Sequence, residues 1–229
     1  MNAVLDDHLL PAPGRAGRFG VDAVEARAER ILRIQGYADP AQVRARIRAA
    51  AHDVADLAGE LAAGEVGYRR VAVARLGGGV LVLHGQQRFE CEVFDRHLAG
   101  CEEVLVFVLS AGAAFDAHGE ALMREDRPLH ALFLHTAGWL AVESVTRQFT
   151  ERLRRACAGQ GLRLTRRLGP GYSYRVGARM APWDLAQQRG LFAALGDAPL
   201  PVRLLDSAAM QPAMSRSGLF GLRRARQRL

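Results

Sequence analysis

Residues 166–174 read R-R-L-G-P-G-Y-S-Y, residues 183–192 read W-D-L-A-Q-Q-R-G-L-F, and residues 201–221 read P-V-R-L-L-D-S-A-A-M-Q-P-A-M-S-R-S-G-L-F-G. The first block sets an arginine, Arg167, before a Gly169-Pro170-Gly171 turn and the ring of Tyr172. Glycines there let the backbone turn sharply and approach a ligand with no Cβ in the way, and the proline stiffens the turn. A guanidinium fork grips a carboxylate through two parallel hydrogen bonds, which an ammonium group cannot do. Tyr172 adds a ring face for a cation or an aromatic ligand, plus a hydroxyl. Alone, P-G-Y is also ordinary turn chemistry. Two further blocks follow it: an amphipathic helix bearing Trp183, Asp184 and Gln187, then a strand leading into Met210, Pro212, Ser215, Ser217 and Gly218.

Upstream, the longest helix is expected from about Pro128 to Cys157, capped by Asp126, with Pro128 in its first turn. Leu134, Gly138, Val142, Val145, Phe149 and Leu153 recur at helical spacing and must face a core. A second apolar row, Leu129, Leu132, Phe133 and Leu140, continues to Glu143. A carboxylate beside two apolar faces is costly unless a cation or donor meets it. Arg147, one turn on, offers an ordinary surface pair; a cationic ligand is the other candidate, and the sequence leaves both open.

The first half is less distinctive. Residues 1–20 suggest an arm with no core of its own, and Val21 to Gln35 and Ala41 to Ala63 suggest helices, the second opened by Asp39-Pro40. Arg69 to Leu76, a Gly77-Gly78-Gly79 break, and Val80 to Leu83 suggest a hairpin. Glu103 to Ser110 is a buried, valine-rich strand, with small residues after it ahead of another helix. No internal repeat appears.

Composition bounds the chemistry. With 229 residues, 49% of them hydrophobic, the chain can bury a sizeable core. No apolar run approaches the roughly 18 residues of a membrane span, and Asp6 and Asp7 stand where a signal peptide carries positive charge; a cytoplasmic location is expected. All 31 basic residues are arginine, which excludes a P-loop lysine and a lysine Schiff base. Of the +7 net charge, four units come from Arg223, Arg224, Arg226 and Arg228 in a basic tail, residues 223–229. Such a tail can attract nucleic acid or an acidic partner, but more often is simply solvated. Cys91, Cys101 and Cys157 are scattered and suggest reduced thiols. No histidine pair has metal-ligand spacing, and Ser215 and Ser217 have no neighbouring His and Asp to make a nucleophile.

The order of blocks resembles the reactivation domain of cobalamin-dependent methionine synthase, the module that binds S-adenosylmethionine (AdoMet). Its R-x-x-x-G-Y signature falls on Arg167, Gly171 and Tyr172, its M-x-P-x-x-S-x-S-G on Met210 through Gly218, and its helix motif of small residues before a glutamate on W-L-A-V-E-S, ending at Glu143 and Ser144. The resemblance is clearest after Leu129. It implies an α+β fold, a single domain over residues 21–222 with a curved antiparallel sheet flanked by helices. It also implies AdoMet contacts from Arg167, Gly171, Tyr172, Glu143, Ser215, Ser217 and Gly218, with Glu143 at the ligand's cationic end. In that family the domain docks on a corrinoid-bearing domain, and an electron from a flavoprotein plus the AdoMet methyl group restores methylcobalamin from inactive cob(II)alamin. Nothing in this chain resembles the D-x-H-x-x-G of a corrinoid-binding module, so cobalamin is expected only on a partner, a corrinoid protein or a cobalamin-dependent methyltransferase. The segment S-Y-R-V-G-A-R-M-A-P between Tyr172 and Trp183 departs from the family's adenine-side segment. A non-catalytic chaperone or sensor of the corrinoid protein is the alternative reading, and a nucleic-acid-binding protein acting through its arginine tail is a further one.

Overall fold

The computed structural model describes residues 9–225 apart from 22, 23, 25, 40 and 41. Its centre is the run Glu103–Ser110 (β5), whose alternate side chains enter different cores. Leu105, Phe107 and Leu109 pack with helices on one face, while Val104, Val106 and Val108 pack on the other. A strand buried on both faces needs an unbroken apolar run, which is what V-L-V-F-V-L supplies.

β5 pairs antiparallel with Gly64–Gly77 (β2) on one side and Ser215–Arg224 (β11) on the other. Beyond β2 lie Val80–Leu83 (β3) and Arg88–Glu90 (β4), and beyond β11 lies Leu162–Leu164 (β6). The expected hairpin is present, with Gly78 and Gly79 at positive φ in its turn. Ala16–Val21 (β1) pairs with the first half of β2.

One face carries Ala28–Ile34 (α1), Ala45–Leu61 (α2), Ala114–Arg124 (α4) and Pro128–Gly159 (α5). The other carries Val93–His97 (α3), Gln188–Leu195 (α6) and a small hairpin, Ser173–Val176 (β7) with Arg179–Pro182 (β8). Arg203–Leu204 (β9) and Met210–Gln211 (β10) form a second short ribbon before β11. This is the expected α+β arrangement, a single antiparallel main sheet flanked by helices.

Several boundaries need correction. The arm expected over residues 1–20 is tied into the fold from Leu9 onward: Leu9, Leu10 and Phe19 are buried, and Arg70 donates to the Pro11 carbonyl. Val21 belongs to a strand, so the helix expected from it starts at Ala28. The second helix begins at Ala45, and Pro40, expected at its opening, lies outside the described residues. The expected basic tail is shortened, because Arg223 and Arg224 pair with Arg163 and Leu162 in the sheet; Arg226 and Arg228 lie outside the described residues.

α5 starts at Pro128 as expected, but Asp126 does not cap it. Asp126 takes a φ of +55° and ends α4: its N–H bonds the Met123 carbonyl and the Arg127 N–H bonds that of Leu122. That is the six-to-one, five-to-two closure of a helix C-terminus, where an aspartate tolerates the left-handed conformation. The stripe from Leu134 to Leu153 is buried throughout. Of the second row, Phe133 and Leu140 are buried, while Leu132 is exposed.

Candidate ligand site

The arginine-glycine block runs beside β11 as an irregular strand. Thr165 N–H bonds the Gly221 carbonyl, and Leu168 exchanges both backbone hydrogen bonds with Leu219. Leu168 is buried in the core on the α3 and α6 face, and alternation sends Arg167 to the opposite face, within electrostatic range of Glu143. The two arginines part company here. Arg166 lies over the Tyr174 ring, 5.6 Å from its centroid, and Arg167 over the Tyr172 ring at 4.8 Å. The turn is held from inside by the Tyr174 hydroxyl, which accepts from Gly169 N–H at 2.6 Å and donates to its carbonyl at 3.0 Å. Gly171 sits at φ +80°, a conformation that suits glycine, and its N–H bonds the Trp183 carbonyl. Trp183 is buried edge-on to Phe89 and Phe94 and gives its indole N–H to Gln187. The Trp-Asp-Gln block is thus mainly a strut: Asp184 caps its short 3₁₀ turn, and Gln187 also clamps both backbone groups of Glu90.

Arg167 Nη1 is buried without a hydrogen-bond partner. A buried guanidinium N–H left unpaired is costly, and an incoming acceptor would relieve it. Tyr172, beneath the same guanidinium, is 39% exposed to solvent.

Glu143 comes to this place from α5. It does not pair with Arg147. Its Oε1 accepts a 2.5 Å bond from Arg216 Nη2, and Arg216 Nη1 donates to Thr146 Oγ1 at 3.0 Å. Thr146 in turn donates to the Val142 carbonyl one helical turn back. The Arg216 side chain is only 6% exposed, against 54% for Glu143. The bond from Arg216 holds the Glu143 carboxyl below the usual carboxylate range, against its partial burial, with smaller contributions from the charges of Arg167 and Arg30. Burial works against the Arg216 charge, but Glu143 and the Tyr172 oxygen outweigh it and raise its pKa. Arg167, Tyr172, Glu143 and Arg216 therefore form one cluster, drawn from a loop, a helix and a strand.

Arg216 was missed in the sequence, although it sits inside the M-x-P-x-x-S-x-S-G block. Alternation along β11 offered the signal: with Ser215 and Ser217 on one face, Arg216 must enter the opposite core and there find a carboxylate.

The remaining expected contacts are engaged within the fold. Ser217 Oγ donates to Gln188 Oε1 at 2.8 Å on the α6 face of the sheet, opposite to Glu143, and Gln188 passes the bond on to the Ala208 carbonyl. Ser215 Oγ donates to the Pro212 carbonyl at 2.7 Å. A Cβ on Gly218 would lie 2.5 Å from the Leu168 carbonyl oxygen, so this glycine lets the arginine block approach β11. Beyond Glu143 a groove of about 810 Å³ opens between α1 and α5, lined by Arg27, Arg30, Arg33, Arg147, Glu29 and Ser144, among others.

Among the described residues no group of three His, Cys, Asp or Glu is placed to hold a metal ion, and no helix is long and apolar enough to cross a membrane. Cys91, Cys101 and Cys157 are free and buried, and burial pushes the thiols of Cys101 and Cys157 up to about 11, which leaves them poor nucleophiles.

The architecture defines a class: an antiparallel α+β domain with an arginine-glycine turn laid along β11, the strand beside the central one. The chain has the fold of the methionine synthase reactivation domain. It is similar to a crystal structure of the MetH reactivation domain bound to AdoHcy, with a TM-score of 0.61 over 94% of this chain and 81% of that one, at 12% sequence identity. No family model and no curated protein matches the chain.

Proposed function

We propose that the protein binds AdoMet at the Arg167–Tyr172–Glu143 cluster and presents it to a corrinoid carried by a separate protein, supporting reductive reactivation of cob(II)alamin. The observation that carries this reading is the unpaired, buried Nη1 of Arg167 beside the partly exposed ring of Tyr172, in a fold shared with a domain whose solved structure holds AdoHcy. The guanidinium offers the two parallel donors that an amino-acid carboxylate needs. Tyr172 offers a flat face, and Gly171 keeps the turn open beside it. Glu143 adds a carboxylate whose charge persists well into the acid range. Bound AdoMet supplies an electrophilic methyl group, and its transfer leaves the bonding electron pair on sulfur as a neutral thioether. This chain's contribution is to position that group, since no side chain of the cluster is placed as an acid, base or nucleophile.

A second reading, a non-catalytic chaperone or sensor of the corrinoid protein, draws on a specific feature: Glu143 already has a cation, Arg216. One experiment separates the two. The protein is mixed with a candidate corrinoid partner in the cob(II)alamin state, AdoMet and a low-potential reductant such as a reduced flavoprotein. The absorbance of cob(II)alamin should disappear only with all components present, and Arg167→Ala should prevent it. An unchanged cob(II)alamin signal from a stable complex of the two proteins would favour the chaperone.

A further inference from the structure

Arg216 carries an inference about which ligand the site prefers, and it rests on the AdoMet-site reading above. The cluster holds two guanidinium groups, Arg167 and Arg216, against one carboxylate, Glu143. Arg30 adds a further positive charge within range of that carboxylate. Arg216 is not a mobile surface charge: it is 6% exposed and pinned by two bonds to α5, through Glu143 and Thr146. Its Nε is also buried without a partner, a second unpaired donor in the cluster besides Arg167 Nη1. The carboxylate available to a ligand's cation is thus already neutralised from within, while two buried donors await an acceptor.

We infer that Arg216 is a specificity-determining residue that makes this site favour the neutral thioether AdoHcy over the cationic sulfonium AdoMet. The two ligands share the adenosine and the zwitterionic amino-acid end, so the excess guanidinium acts on them differently only through the charge at sulfur. A sulfonium entering a cluster with net positive charge is repelled, and burial of Arg216 lessens the screening by water and salt. The same repulsion is relieved when the methyl group leaves and the sulfur becomes neutral. A protein carrying this arginine therefore releases strain on methyl transfer and retains the demethylated product.

Titration calorimetry of the full chain with AdoMet and with AdoHcy tests the inference. The unaltered protein should bind AdoHcy roughly tenfold more tightly than AdoMet, the effect of about 1.4 kcal/mol. Arg216→Met, which keeps an unbranched side chain and removes the charge, should erase or reverse that preference. Arg216→Lys, which keeps the charge, should retain it, and circular dichroism establishes that each variant is folded. Equal affinities in the unaltered protein, or a preference for AdoMet, would overturn the role of Arg216 while leaving the AdoMet site standing. So would an AdoHcy preference undiminished in folded Arg216→Met. Failure of the folded, unaltered protein to bind either ligand would instead overturn the site reading itself, and this inference with it.

Discussion

Arg216 and Glu143 couple a buried charge to a half-exposed one, and that asymmetry sets how the pair responds to pH. Glu143 has a folded-state pKa lowered by its bond to Arg216. A lowered carboxyl pKa stabilises the fold above the unfolded value of about 4.3, and the contribution is lost as pH falls through the folded one. Glu143→Gln should therefore melt below the unaltered protein at neutral pH. The gap should be about 1 kcal/mol, since water reaches more than half of the carboxylate and screens the pair. On acidification the two melting curves should converge. A gap that stays constant from neutral to strongly acid pH would mean that the charge pair contributes nothing and that the substitution acts through packing. The sequence placed Glu143 between two partners, Arg147 and a ligand, and the residue that meets it is a third. Nothing local to α5 could have named Arg216, which lies 73 residues away along the chain.

At the level of elements, β11 is where the site is assembled. Its register sends Arg216 toward α5 and Ser217 toward α6, while Gly218 admits the Leu168 strand at close range. Gly218→Ala would drive a Cβ against the Leu168 carbonyl and the Phe107 ring, both immobile, and should cost about 1–3 kcal/mol in urea denaturation. Gly138→Ala meets the Met214 thioether instead, which can swing aside, so it should cost less. Equal losses from the two would contradict this account of β11. Elements with one dominant signal were legible. The apolar run of β5 and the start of α5 at Pro128 agree with the sequence to the residue. Ala16–Val21 was not legible as a strand, because its alternation is short and its stability comes from pairing with β2, more than forty residues away. Asp126 misled because an aspartate before a helix fits both an N-cap and the left-handed end of the preceding helix.

For the molecule as a whole, the sheet is what brings α5, the arginine-glycine turn and β11 to one place. The order of the three sequence blocks pointed to this fold through its resemblance to the reactivation domain, and each block has its own part in holding that convergence. Trp183 and Gln187 brace the turn from behind, Gly169 and Gly218 let it lie against β11, and Arg167 packs over the Tyr172 ring. Sequence order alone could not foresee the internal partners of the expected contacts: Ser215 and Ser217 stood beside Arg167, and their hydroxyls donate to the Pro212 carbonyl and to Gln188. The central claim is that Arg167 is the anchor of an AdoMet site. Titration calorimetry of AdoMet into the unaltered protein and into Arg167→Ala tests it most directly. Loss of the charge-assisted bonds should cost about 2 kcal/mol, roughly a thirtyfold weaker Kd, with the melting temperature of the free protein nearly unchanged. Equal affinity in the two proteins, or no binding by the folded unaltered protein, would contradict it.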